Sequence, residues 1–358
     1  MLDPRATLAD LRTAPSFPEL WARPDALDPL LGLVRGAGAR LVRVAAMDLV
    51  RAHHLEAFAA RGVAALLDLL AHDDDEIRTF ALTSFAEAPD LGRLPLADWL
   101  RLLDVVGADG IAIVVAQLVR HVRPARIDLP TRVALACHVA APVARLGLDL
   151  LEAEPPSDAD GVASLAALAH ARCAVHGRNL AAFALAHVGA EETYRLDTAM
   201  SFFDAPMRSV REGAFDWLSP ETPAWNDGAL WSRLCETPYD DVRMRLVAAL
   251  DQRTRLPGGD VRGDVRGAVR LWTTLLLAVH RGGREKLRAL RQVVDEIARR
   301  PDTAAELLPA LRVAVRSSRG PERRAGLSAV ATLLARRPSL ADDVARVLPE
   351  LVFAGDAA

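Results

Sequence analysis

The sequence reads DDVR at residues 240–243 and DEIR at residues 75–78, and an apolar, Ala-containing segment follows each of these stretches. A short carboxylate at such a position can cap a helix by accepting hydrogen bonds from the free amides of the first turn. Corresponding pairs, Val210-Arg211 and Val42-Arg43, begin two further segments of the same kind. The motif therefore predicts a series of similar helices, each entered through a polar turn.

The rest of the chain has the same helical character. Apolar residues recur at helical spacing in segments of about 12 to 18 residues, each closed by Pro, Gly or an Asp-rich turn. Hydrophobic residues make up 51% of the sequence but aromatic residues only 5%, so Ala, Leu and Val carry the apolar content, as in closely packed helices. The long alternations of Val, Ile, Thr and Tyr that strands need are missing. We therefore predict an all-α protein.

Internal repetition defines the predicted architecture. About nineteen helical segments make roughly nine pairs of ~35 to 40 residues, the period of helical-repeat arrays. At DDVR and DEIR the chain resembles HEAT repeats, whose second helix commonly opens with an acidic residue followed by Val-Arg and a small residue. The resemblance covers roughly residues 25–351 and is carried in residues 94–190 mainly by helix length and the Ala/Leu pattern. It implies a right-handed α-α superhelix, a HEAT/armadillo-like solenoid.

In such an array each residue of the motif has a structural role. The Asp caps the second helix of the pair, the Val is buried beneath the turn, and the Arg can reach the acidic turn of the next repeat. We therefore expect these residues to stabilise the array, and a ligand or partner to be recognised by other side chains.

Two interruptions divide the predicted array. Pro155-Pro156 forms a proline turn, and a Gly-rich stretch later repeats Asp-Val-Arg-Gly in tandem. The predicted organisation is an N-terminal cap segment over residues 1–24, a HEAT-like array over residues 25–255 with a change of curvature near residues 154–160, a Gly-rich loop over residues 256–267, C-terminal HEAT-like repeats over residues 268–352 and a tail over residues 353–358.

Charge, cysteine usage and hydropathy exclude several classes of protein. A net charge of -3 argues against a protein whose whole surface is built to bind nucleic acid. The three cysteines are far apart and form no CxxC pair, which favours a reducing cytoplasm over a disulfide framework. The start of the chain lacks the apolar region of a signal peptide, and apolar stretches such as residues 111–119 are too short to cross a bilayer. We expect a cytoplasmic protein that does not insert into membranes.

Motifs for metal binding or catalysis are missing. His53 and His54 are adjacent and diverge on a helix, whereas Cys173 and His176 are three residues apart but have no third ligand nearby. The sequence contains no Gly-x-Ser-x-Gly elbow, no phosphate-binding Gly-x-x-x-x-Gly-Lys-Ser/Thr and no Gly-x-Gly-x-x-Gly. We therefore predict no catalytic residue, no metal and no cofactor.

The densest run of cations surrounds Gly282-Gly283. A glycine turn at a helix start offers free amides and positive charge to an anion, and Arg284, Arg288 and Arg291 recur at helical spacing. The alternative is a solvated turn that Glu285 partly neutralises. Among the 44 basic residues only one is lysine, a bias that we attribute to a GC-rich coding sequence. The cations predicted to bind a partner are Arg281, Arg284, Lys286, Arg288 and Arg291.

A second candidate surface is aromatic. Trp217, Trp225 and Trp231 lie close together in the sequence, with Tyr239 nearby, in a chain that is poor in aromatic residues. Trp and Tyr dominate the binding energy of many protein interfaces, so this cluster is a candidate anchor for a partner. The alternative is that the same side chains fill a thicker part of the helical core.

These observations favour a non-catalytic scaffold or adaptor that binds a protein partner on the concave surface of the solenoid. The alternative is a nucleic-acid-binding HEAT protein. Such arrays include DNA glycosylases for alkylated purines, which use Trp, Arg and Asp on a concave surface, and the resemblance would assign these roles to Trp217, Trp231, Asp216 and the stripe that begins at Arg284. The net charge argues against this alternative, because those enzymes hold DNA in a markedly basic groove.

Overall fold

The computed structural model describes residues 17–61, 63–86, 91–255, 265–277 and 283–351. Within these ranges every regular element is an α-helix or a short 3-10 helix, which confirms the predicted all-α class. Residue contacts divide the chain into two compact units, residues 1–156 and 157–358. The division falls directly after the Pro155-Pro156 turn.

The N-terminal unit is a set of helix pairs around one continuous apolar core. Phe58 stacks on Phe80 with 5.4 Å between ring centroids, and Phe85 meets the edge of Trp99 at 5.6 Å. Successive helices pack on each other and on the helix after next. The α-helices of this unit are α1 (Pro18–Trp21), α2 (Leu27–Gly36), α3 (Arg40–His53), α4 (Leu55–Ala59), α5 (Val63–Leu70), α6 (Asp75–Ala86), α7 (Leu96–Val105), α8 (Ala108–His121), α9 (Leu129–Ala136) and α10 (Ala141–Ala153).

The C-terminal unit is also built from helices, including two of 17 residues, Gly283–Arg299 and Gly320–Arg336. Of the predicted Gly-rich loop, residues 256–264 lie outside the described ranges, whereas residues 265–267 form the first turn of a helix. The α-helices of this unit are α11 (Ala159–Ser164), α12 (Gly177–Val188), α13 (Leu196–Phe203), α14 (Arg208–Trp217), α15 (Pro223–Asn226), α16 (Gly228–Cys235), α17 (Asp240–Arg255), α18 (Val265–Leu277), α19 (Gly283–Arg299), α20 (Ala304–Val315), α21 (Gly320–Arg336) and α22 (Ala341–Val347).

Two rows of helices organise the C-terminal unit. We call α12, α14, α17, α19 and α21 the first row, because each of these helices contacts the next helix of this group. Helices α13, α16, α18, α20 and α22 form the second row in the same way. Sequential pairs join the rows, since α13 packs on α14, α16 on α17, α18 on α19 and α20 on α21.

Glycine sets the distance between helices at the closest crossings. An ideal Cβ placed on Gly213 of α14 would lie 2.5 Å from the carbonyl oxygen of Arg178 and 2.8 Å from the Cβ of Ala181, both in α12. Neither atom can move without moving its helix, so a larger residue would push the two helices apart. The tight contact of α12 with α14 therefore depends on this glycine.

The motif residues lie largely where the sequence places them. Ile77, Val210 and Val242 are fully buried beneath their turns, whereas Val42 is 40% exposed. Asp74 caps α6, because its Oδ1 accepts a hydrogen bond of 2.9 Å from the amide of Glu76. Asp241 differs from the expected cap, because α17 already begins one residue before it.

Candidate functional site at the Lys286 turn

Seven of the helices that the structure describes carry a cation at their fourth residue, and we call these residues the turn cations. Six of them are arginines and one is a lysine. The turn cations are Arg43 in α3, Arg78 in α6, Arg132 in α9, Arg211 in α14, Arg243 in α17, Lys286 in α19 and Arg323 in α21.

Arg211 represents the arginine form of this turn. Its Nη1 donates to the carbonyl oxygens of Ala205 at 2.7 Å and Pro206 at 3.0 Å, in the turn that precedes its own helix. Its Nε and Nη2 donate to the two carboxylate oxygens of Asp241 at 3.0 and 2.9 Å. The guanidinium carbon also lies 3.9 Å from the centre of the Tyr239 ring. Arg211 therefore joins one turn to the next, as the sequence predicts, and Asp241 acts as its acceptor.

The same arrangement recurs in the N-terminal unit. Arg43 donates to the carbonyl oxygens of Ala37 at 2.9 Å and Gly38 at 3.3 Å, and it forms an ion pair with Asp74 of the following turn. Because a guanidinium has five N–H donors in a fixed plane, it can bond two carbonyls and a carboxylate at once. The arginine turn cations with these bonds are structural residues.

Lys286 stands at the equivalent position of α19, and the turn before this helix, residues 278–282, lies outside the described residues. The side chain is 3% exposed, and its Nζ donates to Oε1 of Glu322 in α21 at 2.8 Å. That is the one hydrogen bond of this ammonium to the residues that the structure describes, although it carries three N–H donors. Lys286 is also the only lysine in the sequence.

Glu322 is held in its charged form. Burial raises the pKa of its carboxyl, but hydrogen bonds from Lys286 and from the Ser317 hydroxyl, together with the charges of Lys286 and Arg319, outweigh burial and lower the pKa overall. The Ser317 hydroxyl donates at 2.8 Å, and a guanidinium nitrogen of Arg319 lies 3.6 Å from the carboxylate. The Lys286–Glu322 contact is therefore an ion pair whose lysine side chain is buried and whose carboxyl has a lowered pKa.

A cavity of about 490 Å³ lies beside this ion pair. Its charged lining consists of two basic side chains, Lys286 and Arg319, and one acidic side chain, Glu322. The apolar lining consists of side chains from α18, α19, α20 and the start of α21. These are Leu276, Leu287, Leu290, Ala314, Pro321 and Ala325.

A second hollow of about 300 Å³ continues along the first row between α19 and α21. It shares Leu287, Leu290 and Ala325 with the cavity and extends to Asp295 and Arg336. We call this second hollow the α19–α21 groove. Leu287, which lines both spaces, is 56% exposed.

The structure separates the predicted cations. Arg281 lies outside the described residues, and Arg284 is exposed. Arg288 and Arg291 both form ion pairs with Asp251 of α17, at 3.1 and 3.0 Å. Lys286 is buried, so these residues do not gather into one exposed cationic stripe.

The predicted aromatic cluster belongs largely to the core. Trp225 and Trp231 are each 4% exposed, their rings meet at right angles with centroids 5.3 Å apart, and the Trp231 indole donates to the Trp225 carbonyl at 2.9 Å. Trp217 is half-buried and packs against Gly189, and Tyr239 is half-buried beside Arg211. The alternative of core filling therefore describes Trp225 and Trp231.

No cluster of three or more His, Cys, Asp or Glu side chains that could hold a metal occurs among the described residues. In the same part of the chain, no helix has both the length and the apolar character needed to cross a bilayer. Comparison of the sequence and structure with models of protein families, with curated proteins and with solved structures gives no match.

The predicted cations Arg284, Lys286, Arg288 and Arg291 lie on α19, but sequence reasoning missed the chemistry of the buried side of this helix. Glu322 was not a candidate, because it lies 36 residues beyond Lys286 and only the packing of α19 on α21 joins them. In the sequence, Leu287 and Leu290 fit the apolar pattern of an ordinary core helix. The one available signal was the single lysine among 44 basic residues, which stands where the other turn cations are arginines.

Proposed function

We propose that the chain is a HEAT-like helical-repeat scaffold that binds a protein partner without catalysing a reaction. The observation that supports this proposal is the two-row packing of the C-terminal unit, in which each helix contacts the next helix of its row. Stacked pairs with nearest-neighbour contacts are the architecture of α-solenoids, which use an extended surface to bind partners. We also propose a cytoplasmic location, in keeping with Cys137, Cys173 and Cys235, which form no disulfide bond.

Ion pairs between successive helices of the first row support a scaffold over a nucleic-acid binder. Asp216 of α14 pairs with Arg178 of α12 and, at 3.5 Å, with Arg245 of α17. Arg336 of α21 pairs with Asp295 of α19 at 2.5 Å. These arginines are neutralised within the array, whereas phosphate binding needs cations that face the ligand. Asp216, which the glycosylase alternative would need at a lesion, is already bonded to two of them.

The α19–α21 groove is the surface that we assign to the partner. Its floor is apolar, and its rim carries charged residues that are already paired, such as Asp295 and Arg336. An apolar patch with a polar rim is the usual composition of a protein interface. Arg291, one of the predicted partner-binding cations, lies on this rim.

The partner-binding proposal is tested by affinity capture from the native cell with matched variants. Thr332 and Ala331 are adjacent exposed residues of α21, but only Thr332 lines the groove. We expect Thr332→Tyr to fill the groove and lose a partner that the wild type and Ala331→Tyr both retain. A partner kept equally by both variants would contradict this assignment. Capture of a ligand whose affinity falls steeply as the salt concentration rises, as expected for nucleic acid, would favour the alternative function.

The solenoid arrangement has its own test. Small-angle scattering of the full chain should report an elongated particle, because stacked pairs bury their apolar faces only against neighbours. Circular dichroism should report high helix content and negligible strand content. A radius of gyration close to that of a compact globule of this length would contradict the solenoid.

A further inference from the structure

We propose that residues 1–16, which we call the N-terminal segment, pack along the outer side of α3 and cover it. These residues lie outside the described part of the chain. The inference goes beyond the scaffold function and does not depend on the α19–α21 groove. It rests on three observations: the apolar outer side of α3, the place where the described chain begins, and the composition of the N-terminal segment.

The outer side of α3 is the side opposite to α6. Arg40 and Arg51 of α3 both contact α6, because Arg40 pairs with Glu76 and the guanidinium of Arg51 lies over the ring of Phe80. A helix turns by about 100° per residue, so positions 42 and 49 stand on the other side of α3. We call this other side, with positions 45 and 52, the outer side.

This outer side is apolar and incompletely buried. Val42 is 40% exposed, Ala45 and Leu49 are half-buried, and Ala52 is exposed. The four residues recur at intervals of three or four, as on the buried stripe of an amphipathic helix. A contiguous apolar surface of this kind marks a place where another segment packs.

The described chain begins beside the C-terminal end of α3. Nε2 of His54, the residue after α3, lies 2.6 Å from the carbonyl oxygen of Trp21, and Trp21 packs against the apolar core. Before it, Phe17 is 66% exposed and Leu20 is 49% exposed. Sixteen residues can span about 50 Å when extended, whereas the 14 residues of α3 span about 21 Å. The N-terminal segment is therefore attached at one end of the outer side and is long enough to run along it.

The N-terminal segment also matches the outer side in composition. Leu8 and Leu11 are three residues apart, and Arg5 and Arg12 flank them. The leucines would bury apolar surface against α3. Asp48, the only acidic residue of α3, lies at the edge of the outer side and can accept a hydrogen bond from either arginine.

Attachment to the chain favours this segment over a second copy of the protein. The segment is joined to Phe17 beside α3, so its effective concentration at the outer side is on the order of millimolar. A second copy would have to reach a similar concentration in solution to compete. Helical-repeat arrays need a polar cover on their terminal repeats to stay in solution, and α2 and α3 are the first long helix pair that the structure describes. The N-terminal segment would supply this cover.

Photo-crosslinking of the full chain tests the contact directly. With p-benzoylphenylalanine incorporated in place of Val42, we expect irradiation to join position 42 to the N-terminal segment within a single molecule, as identified by mass spectrometry. The matched control is the same residue in place of Val119 of α8, which is 60% exposed and should give no crosslink to that segment. Crosslinks from position 42 that join two copies, or that never include the N-terminal segment, would overturn the proposal.

Charged substitutions identify the side chains that make the contact. Leu8→Asp combined with Leu11→Asp should reduce the crosslink from position 42 by about tenfold or more, because two buried leucines are lost. Thr7→Asp combined with Thr13→Asp adds the same charge to the segment and is the control, which should keep the crosslink. A crosslink of unchanged yield in the leucine variant would show that the two leucines do not pack on α3 and would overturn the assignment.

Hydrogen exchange gives an independent measure that needs no crosslinker. In the leucine variant, the amides of α3 should exchange faster than in the wild type, because loss of the cover lowers the local stability of this helix. The amides of α8 should exchange at the wild-type rate. Unchanged exchange in α3 would contradict the cover.

Both variants change only residues before Phe17, so the described helices keep their sequence.

Discussion

The turns at Arg211 and Lys286 both pair a buried cation with a carboxylate, but the cations and their other neighbours differ. Both residues are the fourth of a first-row helix, both are buried, and both bond a carboxylate on the next first-row helix. Arg211 donates to carbonyl oxygens of the preceding turn and to both oxygens of Asp241, whereas Lys286, whose preceding turn lies outside the described residues, donates to Glu322 and lies beside a cavity. The two turns thus place different cations at the same position of their helices and against the same kind of acceptor.

The largest expected effect is the loss of the arginine turn. Arg211→Met would leave Asp241 and the carbonyl oxygens of Ala205 and Pro206 without their donor in a largely buried turn, and it should destabilise the protein by about 3 kcal/mol. Lys286→Met should cost less, because Glu322 keeps its bond from Ser317. Urea denaturation measures both. Equal losses would show that the two turns are equally important for stability.

The next effect concerns the packing that surrounds each turn. Two residues after Arg211 stands Gly213, which has no room for a Cβ, whereas two residues after Lys286 stands the half-exposed Arg288. Gly213→Ala should cost about 2 kcal/mol, because α12 and α14 must separate. Arg288→Ala should cost under about 1 kcal/mol, as for a surface ion pair. A glycine variant that melts like the wild type would show that the helices can adjust freely.

An exchange of the two cations sharpens the comparison. Arg211→Lys should destabilise by about 1.5 kcal/mol, because an ammonium cannot bond both oxygens of Asp241 and two carbonyls in this geometry. Lys286→Arg should change stability by less than about 1 kcal/mol, since the cavity has room for the larger head. Differential scanning calorimetry of the two variants gives the comparison, and a reversed order would contradict the structural distinction between the turns.

The smallest effect is a pH dependence at Glu322. Its pKa is lowered in the folded protein, so the stability that it contributes is present above the usual carboxyl pKa of about 4.3 and is lost as the pH falls through the folded pKa. At pH 7, the free energy of unfolding measured by urea denaturation should be about 1 kcal/mol higher for the wild type than for Glu322→Gln. The difference should shrink toward pH 3. A difference that stays constant with pH would mean that the carboxylate charge is not the stabilising feature.

Some features of these turns could be predicted from the sequence and others could not. Helical periodicity predicted the all-α class, and the Val-Arg pair predicted the burial of Val210 and the bond from Arg211 to the next turn, because both follow from local repetition. The cavity could not be predicted in this way. It arises where α19 packs on α21, and the ion pair of Lys286 is formed with Glu322, a residue of the next first-row helix.

The cation predictions show the same limit. Helical spacing correctly put Arg284, Arg288 and Arg291 near one side of a helix, but spacing does not reveal that Asp251 of the preceding first-row helix neutralises two of them. Aromatic content likewise did not distinguish an exposed anchor from the perpendicular core pair of Trp225 and Trp231. In this protein, the neighbouring helix of the row decides which charges of a helix are neutralised.

The burial of the only lysine makes the chain a reporter of its own local opening. A lysine-specific protease has a single target bond, after Lys286, and that bond lies in the first turn of a packed helix with the side chain 3% exposed. Cleavage into two fragments then requires α19 to open at its start. When opening and closing are fast relative to cleavage, the rate of proteolysis measures the population of the open form. One protein gel can thus follow the local stability of this turn without any added label.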